Sequence, residues 1–310
     1  MKPVTLRQVK VIDPGGPHHE KEIDIRIEKG TITKIAARIP KGMGEEIHVK
    51  GMHASPGWVD LRAHFRDPGE EWKQGVRNGL DAAAAGGFTR VAVLPSTDPV
   101  MDKSSGVANL LSRANGHVVQ VLPVGALTQG LKGEQLAELH DLRTAGAVAY
   151  CDDQHTVRNS RLMLLALQYA NGLPGIKPPI MVFPNDPDLS LNGMMHEGTM
   201  STRLGLKGIP PMAETIQLAR DLELLEYAGG HLHVATISTT GSVGMIRQAK
   251  ARQLHVTASV AAHNLFLDDA CLRSFETRYK VMPPLRDITH IEALRDGVKD
   301  GTIDCIVSDH

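Results

Sequence analysis

The sequence lacks the marks of a secreted, membrane-spanning or disulfide-rich protein. It has only three cysteines and no Cys-x-x-Cys pair: Cys151, Cys271 and Cys305. No apolar run approaches the roughly 18 residues of a membrane span. The first residues lead into strand-like sequence and not into a signal-peptide core. We therefore expect a cytoplasmic protein with reduced thiols.

The chain also lacks a surplus of either charge. Lys and Arg number 34 and Asp and Glu number 35, which gives a formal net charge of −1. Such a balance provides no overall field to attract nucleic acid or an anionic membrane, and we expect neither as a partner. Fifteen histidines in 310 residues raise the question of a metal, but their number alone does not answer it.

The N-terminal segment, residues 1–55, is predicted to consist of short strands. Residues 23–27 and 31–35 alternate between apolar and polar side chains around a turn at Lys29 and Gly30. This pattern predicts a hairpin with one buried face. Residues 46–50 predict another strand.

From residue 56 onward, short apolar runs alternate with helical stretches. Eight runs predict strands: 58–61, 89–94, 118–124, 147–151, 180–183, 231–237, 255–260 and 304–307. The stretches between them predict helices, for example 134–145, 161–170, 211–227, 242–251 and 291–300. Near-continuously apolar strands separated by helices are typical of a parallel sheet covered by helices.

Eight such units indicate a (β/α)8 TIM barrel, an α/β fold of about 250 residues. Residues 57–310 number 254, which fits one barrel beside a small N-terminal domain. We therefore expect two domains, residues 1–55 and 56–310. The sequence stops directly after the eighth predicted strand, so we expect the barrel to be truncated there.

Strand ends carry the motifs that point to a family. The first strand contains Pro-Gly-Trp-Val-Asp at residues 56–60, followed by His-x-Arg-x-Pro-Gly at residues 64–69. Later blocks are His-Glu-Gly at 196–198, Gly-Leu-Lys-Gly-Ile-Pro at 205–210, Pro-Pro-Leu-Arg at 283–286 and Ser-Asp-His at 308–310. In this order, they resemble the dihydroorotases of the amidohydrolase superfamily across essentially the whole chain.

The resemblance implies a barrel beside a small β-sandwich, in which the N-terminal strands pair with C-terminal strands that this sequence does not contain. It also implies a hydrolase of cyclic amides that interconverts carbamoyl aspartate and dihydroorotate. In such enzymes zinc polarises the ring carbonyl and activates a water molecule, while a carboxylate moves the proton.

The zinc ligands that the resemblance implies are only partly present. Family members use two histidines on strand 1, a carboxylate or modified lysine on strand 4, one histidine each on strands 5 and 6, and an aspartate on strand 8. The matching positions that keep a ligand type are His64, Asp153 and Asp309, the last also a remnant of the catalytic base. The other three hold Arg62, Phe183 and Thr236.

A guanidinium among the ligand positions opposes metal binding, because it cannot be deprotonated. We expect Arg62 to pair with Asp309 or Asp153, and zinc to be absent or weakly held.

The substrate side implied by the resemblance is altered as well. Arg66 matches the arginine that holds the substrate carboxylate. Asp98 and Met282 stand where asparagines are expected, and an anion at position 98 would repel a carboxylate. His263 follows strand 7 and is a candidate for lining the mouth of the barrel.

Other polar residues have structural interpretations beside functional ones. His231, His233 and His255 lie within predicted strands and are considered as replacement ligands, and for His233 we expect a structural role. Cys151 has no evident base partner, which predicts a buried thiol in place of a nucleophile. Asp152 next to Asp153 could form a carboxylate dyad, although pairing with Arg62 is favoured.

Three functions remain open from the sequence. The favoured one, implied by resemblance to non-catalytic homologues, is an oligomeric scaffold that packs against aspartate transcarbamoylase in pyrimidine biosynthesis. The second is an active cyclic amidase with an atypical metal site and Asp309 as base. The third is a barrel that senses a carboxylate at Arg66 without turnover.

Overall fold

The computed structural model describes residues 2–42 and 44–310. The chain divides into two compact units, of which the first ends at Trp58 and the second comprises Val59–His310.

The first unit is built on a five-stranded sheet in the order β3-β2-β1-β4, with β5 also paired to β1. Its core contains Val11, Ile23 and Ile25. The predicted hairpin is present, but β3 is an edge strand that leaves Ile32 56% and Ile35 38% exposed. The prediction of a buried face is therefore wrong for that strand. The strands are β1 (Val4–Val11), β2 (Glu22–Glu28), β3 (Thr31–Ala36), β4 (Glu45–Ile47, shorter than the predicted 46–50) and β5 (His53–Ala54).

The second unit confirms the predicted TIM barrel. Eight strands form one sheet in the order β15-β14-β13-β10-β9-β8-β7-β6, and the paired strands are parallel. At the carboxyl ends, the backbone N–H of His64 donates to the carbonyl of His310 at 2.7 Å and links the first strand to the last. The strands are β6 (Trp58–Ala63), β7 (Phe88–Val93), β8 (Gln120–Ala126), β9 (Ala149–Cys151), β10 (Ile180–Val182), a small pair β11 (Met195–His196) and β12 (Gly208–Ile209), β13 (Leu232–Val234), β14 (Val256–Ala261) and β15 (Cys305–Val307).

Helices cover the outside of the sheet, as the sequence predicts. One predicted helix, 134–145, begins only at Leu139, because Leu136 bridges to Thr128 and the N–H of Gln129 donates to the carbonyl of Gln135. Residues 134–138 are therefore not helical. Among the described residues, no helix has both the length and the apolarity to span a membrane. The helices are α1 (Val76–Ala85), α2 (Ser104–Ala114), α3 (Leu139–Ala145), α4 (Ser160–Gly172), α5 (Thr199–Leu204), α6 (Met212–Ala228), α7 (Thr240–Ala251) and α8 (Ile288–Lys299).

Two layers of apolar side chains hold the barrel together. Val91 and Val93 on β7 belong to the large cluster formed with the helices, whereas Ala92 and Leu94 belong to a smaller cluster with Met181. This two-residue period is what a strand between a filled barrel interior and a helical layer requires. The carboxyl ends of these strands therefore rest on a packed base and present their polar residues above it.

Candidate functional site

Arg62 is the centre of a buried ion-pair network at the carboxyl ends of the strands. Its side chain is 2% exposed. The Nε donates to Asp309 Oδ1 at 2.5 Å, and the Nη2 donates to Asp153 Oδ1 at 2.8 Å. The expected ion pair is thus present with both candidate partners. Burial opposes the charge on Arg62, but the two carboxylates outweigh it and raise the pKa of the guanidinium.

Asp153 collects further hydrogen bonds on its second oxygen. His64 Nε2 lies 2.9 Å and Ser96 Oγ 2.7 Å from Asp153 Oδ2. Burial alone would raise the pKa of Asp153, but the His64 contact and the Arg62 charge hold that pKa well below its usual range. Asp153 therefore stays ionised and is a weak base. Sequence reasoning missed Ser96, which sits two residues beyond the pattern that predicts the second strand.

Four residues at the strand ends have left-handed backbone conformations. The φ angles are 55° at Arg66, 53° at Asp153, 49° at Thr236 and 56° at Asp309. Asp tolerates this region, but a β-branched residue such as Thr adopts it only under strain. Such strain collects at functional sites and is supported by the surrounding structure. The residues at the carboxyl ends of the strands are thus held in backbone conformations that are typical of functional sites.

Phe183 and Thr236 fill two of the positions where histidine is expected. The Phe183 ring lies under the guanidinium, with its centroid 5.7 Å from Arg62 Cζ. Thr236 is buried, and its Oγ1 has no hydrogen-bond partner among the described residues. Neither side chain offers a nitrogen or carboxylate ligand.

The predicted substrate residues lie on separate loops. Arg66 is 35% exposed; its Nη1 is 3.4 Å from the carbonyl oxygen of Ser96 and its Nε is 3.7 Å from Glu70. Asp98 is exposed, and its N–H donates to the carbonyl of Pro68 at 2.9 Å. Met282 is half-buried on the segment before Pro283. Within residues 2–42 and 44–310, no hydrogen bond or ion pair joins Arg66, Asp98 and Met282 to one another.

Gly69 allows the loops after the first two strands to approach each other. It has a φ of 113°, and a Cβ placed there would lie 2.6 Å from the Cβ of Asp98. Any side chain at this position would force the two loops apart.

Two further unpaired polar atoms follow β14. His263 Nε2 and Asn264 Oδ1 are buried without a hydrogen-bond partner among the described residues. Burial lowers the pKa of His263, and the charge of Asp309 opposes that shift. His263 is therefore within electrostatic reach of the Arg62 network and is neutral at pH 7.

The residues around Cys151 are structural. Cys151 is buried, and burial raises the pKa of its thiol far above the neutral range, which fits the predicted inert thiol. Asp152 does not pair with Arg62. Its carboxylate accepts from the N–H groups of Leu127 and Thr128 at 3.0 and 2.8 Å, so it does not form a catalytic dyad with Asp153.

The remaining barrel histidines do not join the site. His233 is buried within β13, where its ring nitrogens lie 2.9 Å from Thr257 Oγ1 and 3.1 Å from Ser259 Oγ. His231 and His255 precede their strands and lie at the amino end of the barrel, opposite the Arg62 network.

Acid is expected to destabilise the fold through His233. Burial lowers the pKa of this side chain to about 4, against about 6.5 in the unfolded chain. As the pH falls from 6.5 towards 4, His233 is protonated in the unfolded chain but stays neutral in the folded chain. The free energy of unfolding therefore decreases. We expect the free energy of unfolding to fall by about 2 kcal/mol per such group between pH 7 and pH 5.

Urea denaturation at the two pH values measures this loss. His233→Gln should make the dependence shallower by about that amount, whereas His140→Gln, at an exposed position, should leave it unchanged. An equal pH dependence of the free energy of unfolding in both variants would refute the assignment of this acid sensitivity to His233.

A second group of potential ligands, His196, Asp287 and His290, brings one ligand atom from each residue within 4.8 Å of the others. Arg286 Nη1 can only donate, and it lies 3.2 Å from His196 Nδ1. The N–H of Thr240 lies 3.0 Å from His290 Nδ1. Each Nδ1 lone pair is thus engaged, so each neutral ring carries its proton on Nε2 and has no lone pair for a metal. The group is a hydrogen-bond network and not a metal centre.

That network continues into a buried ion pair which sequence reasoning did not find. Glu214 is 3% exposed and accepts from the N–H groups of Ser238 and Thr239 at 3.0–3.1 Å. Arg286 is 2% exposed, lies 3.9 Å from Glu214 and donates to the carbonyl of Ile209 at 2.8 Å. These contacts therefore fasten the start of α6, the loop after β13 and strand β12 to the segment that contains Arg286.

Comparison with known proteins decides the family. Residues 52–242 match the dihydro-orotase-like family, and the dihydroorotase of Geobacter metallireducens is 44% identical over 305 residues, which cover 97% of this chain and 70% of that protein. The chain belongs to the dihydroorotase family. A dihydroorotase from Pelotomaculum thermopropionicum is also 44% identical, with 97% of this chain and 69% of that protein covered.

Several solved structures share the fold of this chain. The L-hydantoinase of Arthrobacter aurescens superposes with a TM-score of 0.82 at 20% identity, over 100% of this chain and 69% of that one. The dihydropyrimidinase of Brevibacillus agri gives a TM-score of 0.80 at 21% identity, over 99% and 68% of the two chains. At this identity the likeness establishes the barrel architecture alone.

The residues present do not fit the zinc that the family implies. Zinc requires about four nitrogen, sulfur or oxygen ligands at roughly 2.0–2.3 Å. Here the guanidinium of Arg62 lies between Asp153 and Asp309, and an aromatic ring and a neutral hydroxyl occupy two further ligand positions. These positions hold the guanidinium of Arg62 as a fixed cation in place of a metal ion.

Proposed function

We propose that this member of the dihydroorotase family does not turn over dihydroorotate and serves pyrimidine biosynthesis as a structural partner of aspartate transcarbamoylase. The single observation that carries the first part is the position of Arg62 between the two carboxylates that a zinc ion would need. A metal ion there would meet a positive charge that no accessible pH removes.

The reaction also needs a base that can take and return a proton. Asp309, the candidate base, is engaged by Arg62 Nε at 2.5 Å. Asp153 is held ionised and is a weak base. Without a metal-activated water molecule, neither carboxylate has a suitable proton to remove from a nucleophile at neutral pH.

Altered substrate residues support the same proposal. The exposed carboxylate of Asp98 would repel an anionic substrate, and the thioether of Met282 cannot replace the hydrogen bonds of an asparagine. Arg66, the remaining carboxylate-binding candidate, is directed towards Glu70 and the carbonyl of Ser96. Changes on both the metal side and the substrate side favour the loss of turnover over the use of a different metal.

The partner is proposed from the resemblance to non-catalytic homologues, which hold aspartate transcarbamoylase assemblies together. We expect an oligomeric complex in the cytoplasm, where the three free cysteines would stay reduced. Neither nucleic acid nor a membrane is expected as a partner.

The experiment combines an activity assay with a binding assay. Purified protein is expected to release no carbamoyl aspartate from dihydroorotate, with or without added zinc, while the dihydroorotase of Geobacter metallireducens serves as the positive control. The chain should co-elute with aspartate transcarbamoylase at micromolar concentrations in size-exclusion chromatography. Turnover that disappears in Asp309→Ala would instead establish the active cyclic amidase with an atypical metal site.

A carboxylate-sensing barrel is a second candidate, because specific atoms favour it. Thr236 Oγ1 and His263 Nε2 are buried without partners among the described residues, and the two residues follow β13 and β14 at the carboxyl ends of these strands. A ligand carboxylate could accept from the hydroxyl. Saturable binding of dihydroorotate or aspartate without turnover, lost in Arg66→Met, would support this function.

A further inference from the structure

The Arg62 guanidinium connects strand ends that are distant in the sheet. Arg62 lies on β6, Asp153 follows β9, and Asp309 follows β15. β6 and β9 are separated by two strands in the barrel order, so the contact spans the mouth and does not merely join neighbouring strands. One side chain thereby fastens three points on the rim.

The two carboxylates require a cation wherever they are buried together. The side chain of Asp153 is 5% exposed and that of Asp309 is 10% exposed. Two anions removed from water repel each other and lose their hydration, so burying both is unfavourable and is most unfavourable when no positive charge lies between them. The Arg62 guanidinium lies there, and its planar fork donates to both in fixed directions.

Phe183 completes the environment of this cation. Its ring lies 5.7 Å from Arg62 Cζ and provides a face that attracts a positive charge while excluding water. A histidine at this position could direct a ring N–H donor towards the carboxylates and compete with the guanidinium for them. The aromatic ring at position 183 is therefore compatible with the cation at position 62.

We infer that Arg62 is an internal cation that replaces the metal as the structural crosslink of the barrel mouth, tying the ends of β6, β9 and β15 together through Asp153 and Asp309. The inference rests on the proposed function, because a metal ion would need the same two carboxylates. Beyond the loss of turnover, the inference assigns Arg62 a structural role, which is to hold the ends of the three strands together without a metal ion.

A double-mutant cycle on the unmodified background tests the crosslink. Arg62→Met, Asp309→Asn and the double variant are compared by thermal unfolding in the presence of a chelator. Arg62→Met should lower the melting temperature by roughly 5–10 °C, because it leaves two buried carboxylates without a cation. The double variant should lose several degrees less than the sum of the two single changes.

The control cycle uses an exposed ion pair of the same barrel. Arg247 and Asp300 lie 2.6 Å apart, with side chains 51% and 44% exposed. Arg247→Met and Asp300→Asn should each change the melting temperature by about 1 °C or less and show no coupling.

The outcomes distinguish this inference from the proposed function. Additive losses in the Arg62 cycle would overturn the crosslink even if the protein is inactive and binds aspartate transcarbamoylase. Zinc-dependent turnover would overturn the proposed function whatever the cycle shows. If Arg62→Met does not fold, recovery of folded protein on adding Asp153→Asn and Asp309→Asn supports the crosslink, and failure to recover contradicts it.

Discussion

Replacing Arg62, Phe183 and Thr236 together by histidine is expected to turn this chain into a zinc-binding protein. The three new imidazoles would join His64 and Asp309 at the carboxyl ends of the strands. That set supplies the nitrogen and oxygen ligands that zinc prefers, and it removes the guanidinium that opposes the ion. The two carboxylates would then have no resident cation, which favours the uptake of a divalent one.

Zinc content and zinc-dependent melting measure this change. After chelation and dialysis, the triple variant should bind zinc stoichiometrically, and zinc at about 100 times its dissociation constant should raise the melting temperature by roughly 5 °C. The matched control, Arg62→Met with Phe183→Leu and Thr236→Val, loses the same cation but gains no imidazole. It should bind no zinc; equal zinc binding by the two triple variants would refute the account of these positions.

Glu214→Ala is expected to cause the largest loss of stability of any single change considered. The carboxylate of Glu214 receives the backbone N–H groups of Ser238 and Thr239 and neutralises the buried Arg286. Its removal leaves two buried N–H donors and a buried cation without their anion. Breaking a buried pair in this way costs about 3–5 kcal/mol.

Urea denaturation measures the free energy of unfolding of the Glu214 variant. Glu223→Ala is the matched control, because Glu223 is exposed on the same helix, α6. It should change the free energy by about 0.5 kcal/mol or less. A loss below about 1 kcal/mol in Glu214→Ala would show that the Arg286 network is not a principal support of the carboxyl-end face.

The strands of the barrel could be predicted because each is a short apolar run whose side chains face either the interior or the helices. All eight predicted runs overlap an observed strand. The start of α3 could not be read from periodicity, because Leu136 pairs with Thr128 in a local bridge and the helix begins only after it. Likewise, alternation in residues 31–35 does not reveal that β3 is the edge of its sheet.

The candidate site shows a similar division. The pairing of Arg62 with a carboxylate follows from charge alone, since a buried cation among acids needs an anion. The direction of each side chain at the strand end decides the rest. Arg62 bridges both Asp153 and Asp309, whereas the carboxylate of Asp152 accepts from Thr128. Ser96 carries no signal beyond that of an ordinary polar residue in a loop. Arg286 belongs to a block that indicates the family, but the block does not reveal its pairing with Glu214, so only the fold shows these contacts.

Metal content tests the central claim most directly. The unmodified protein, purified without chelator and then offered excess zinc and dialysed, is analysed for metal beside the dihydroorotase of Geobacter metallireducens. The account predicts far less than one zinc ion per chain and no zinc-dependent rise in melting temperature, because Arg62 holds the place between Asp153 and Asp309. Stoichiometric zinc that is lost in Asp309→Asn would contradict it.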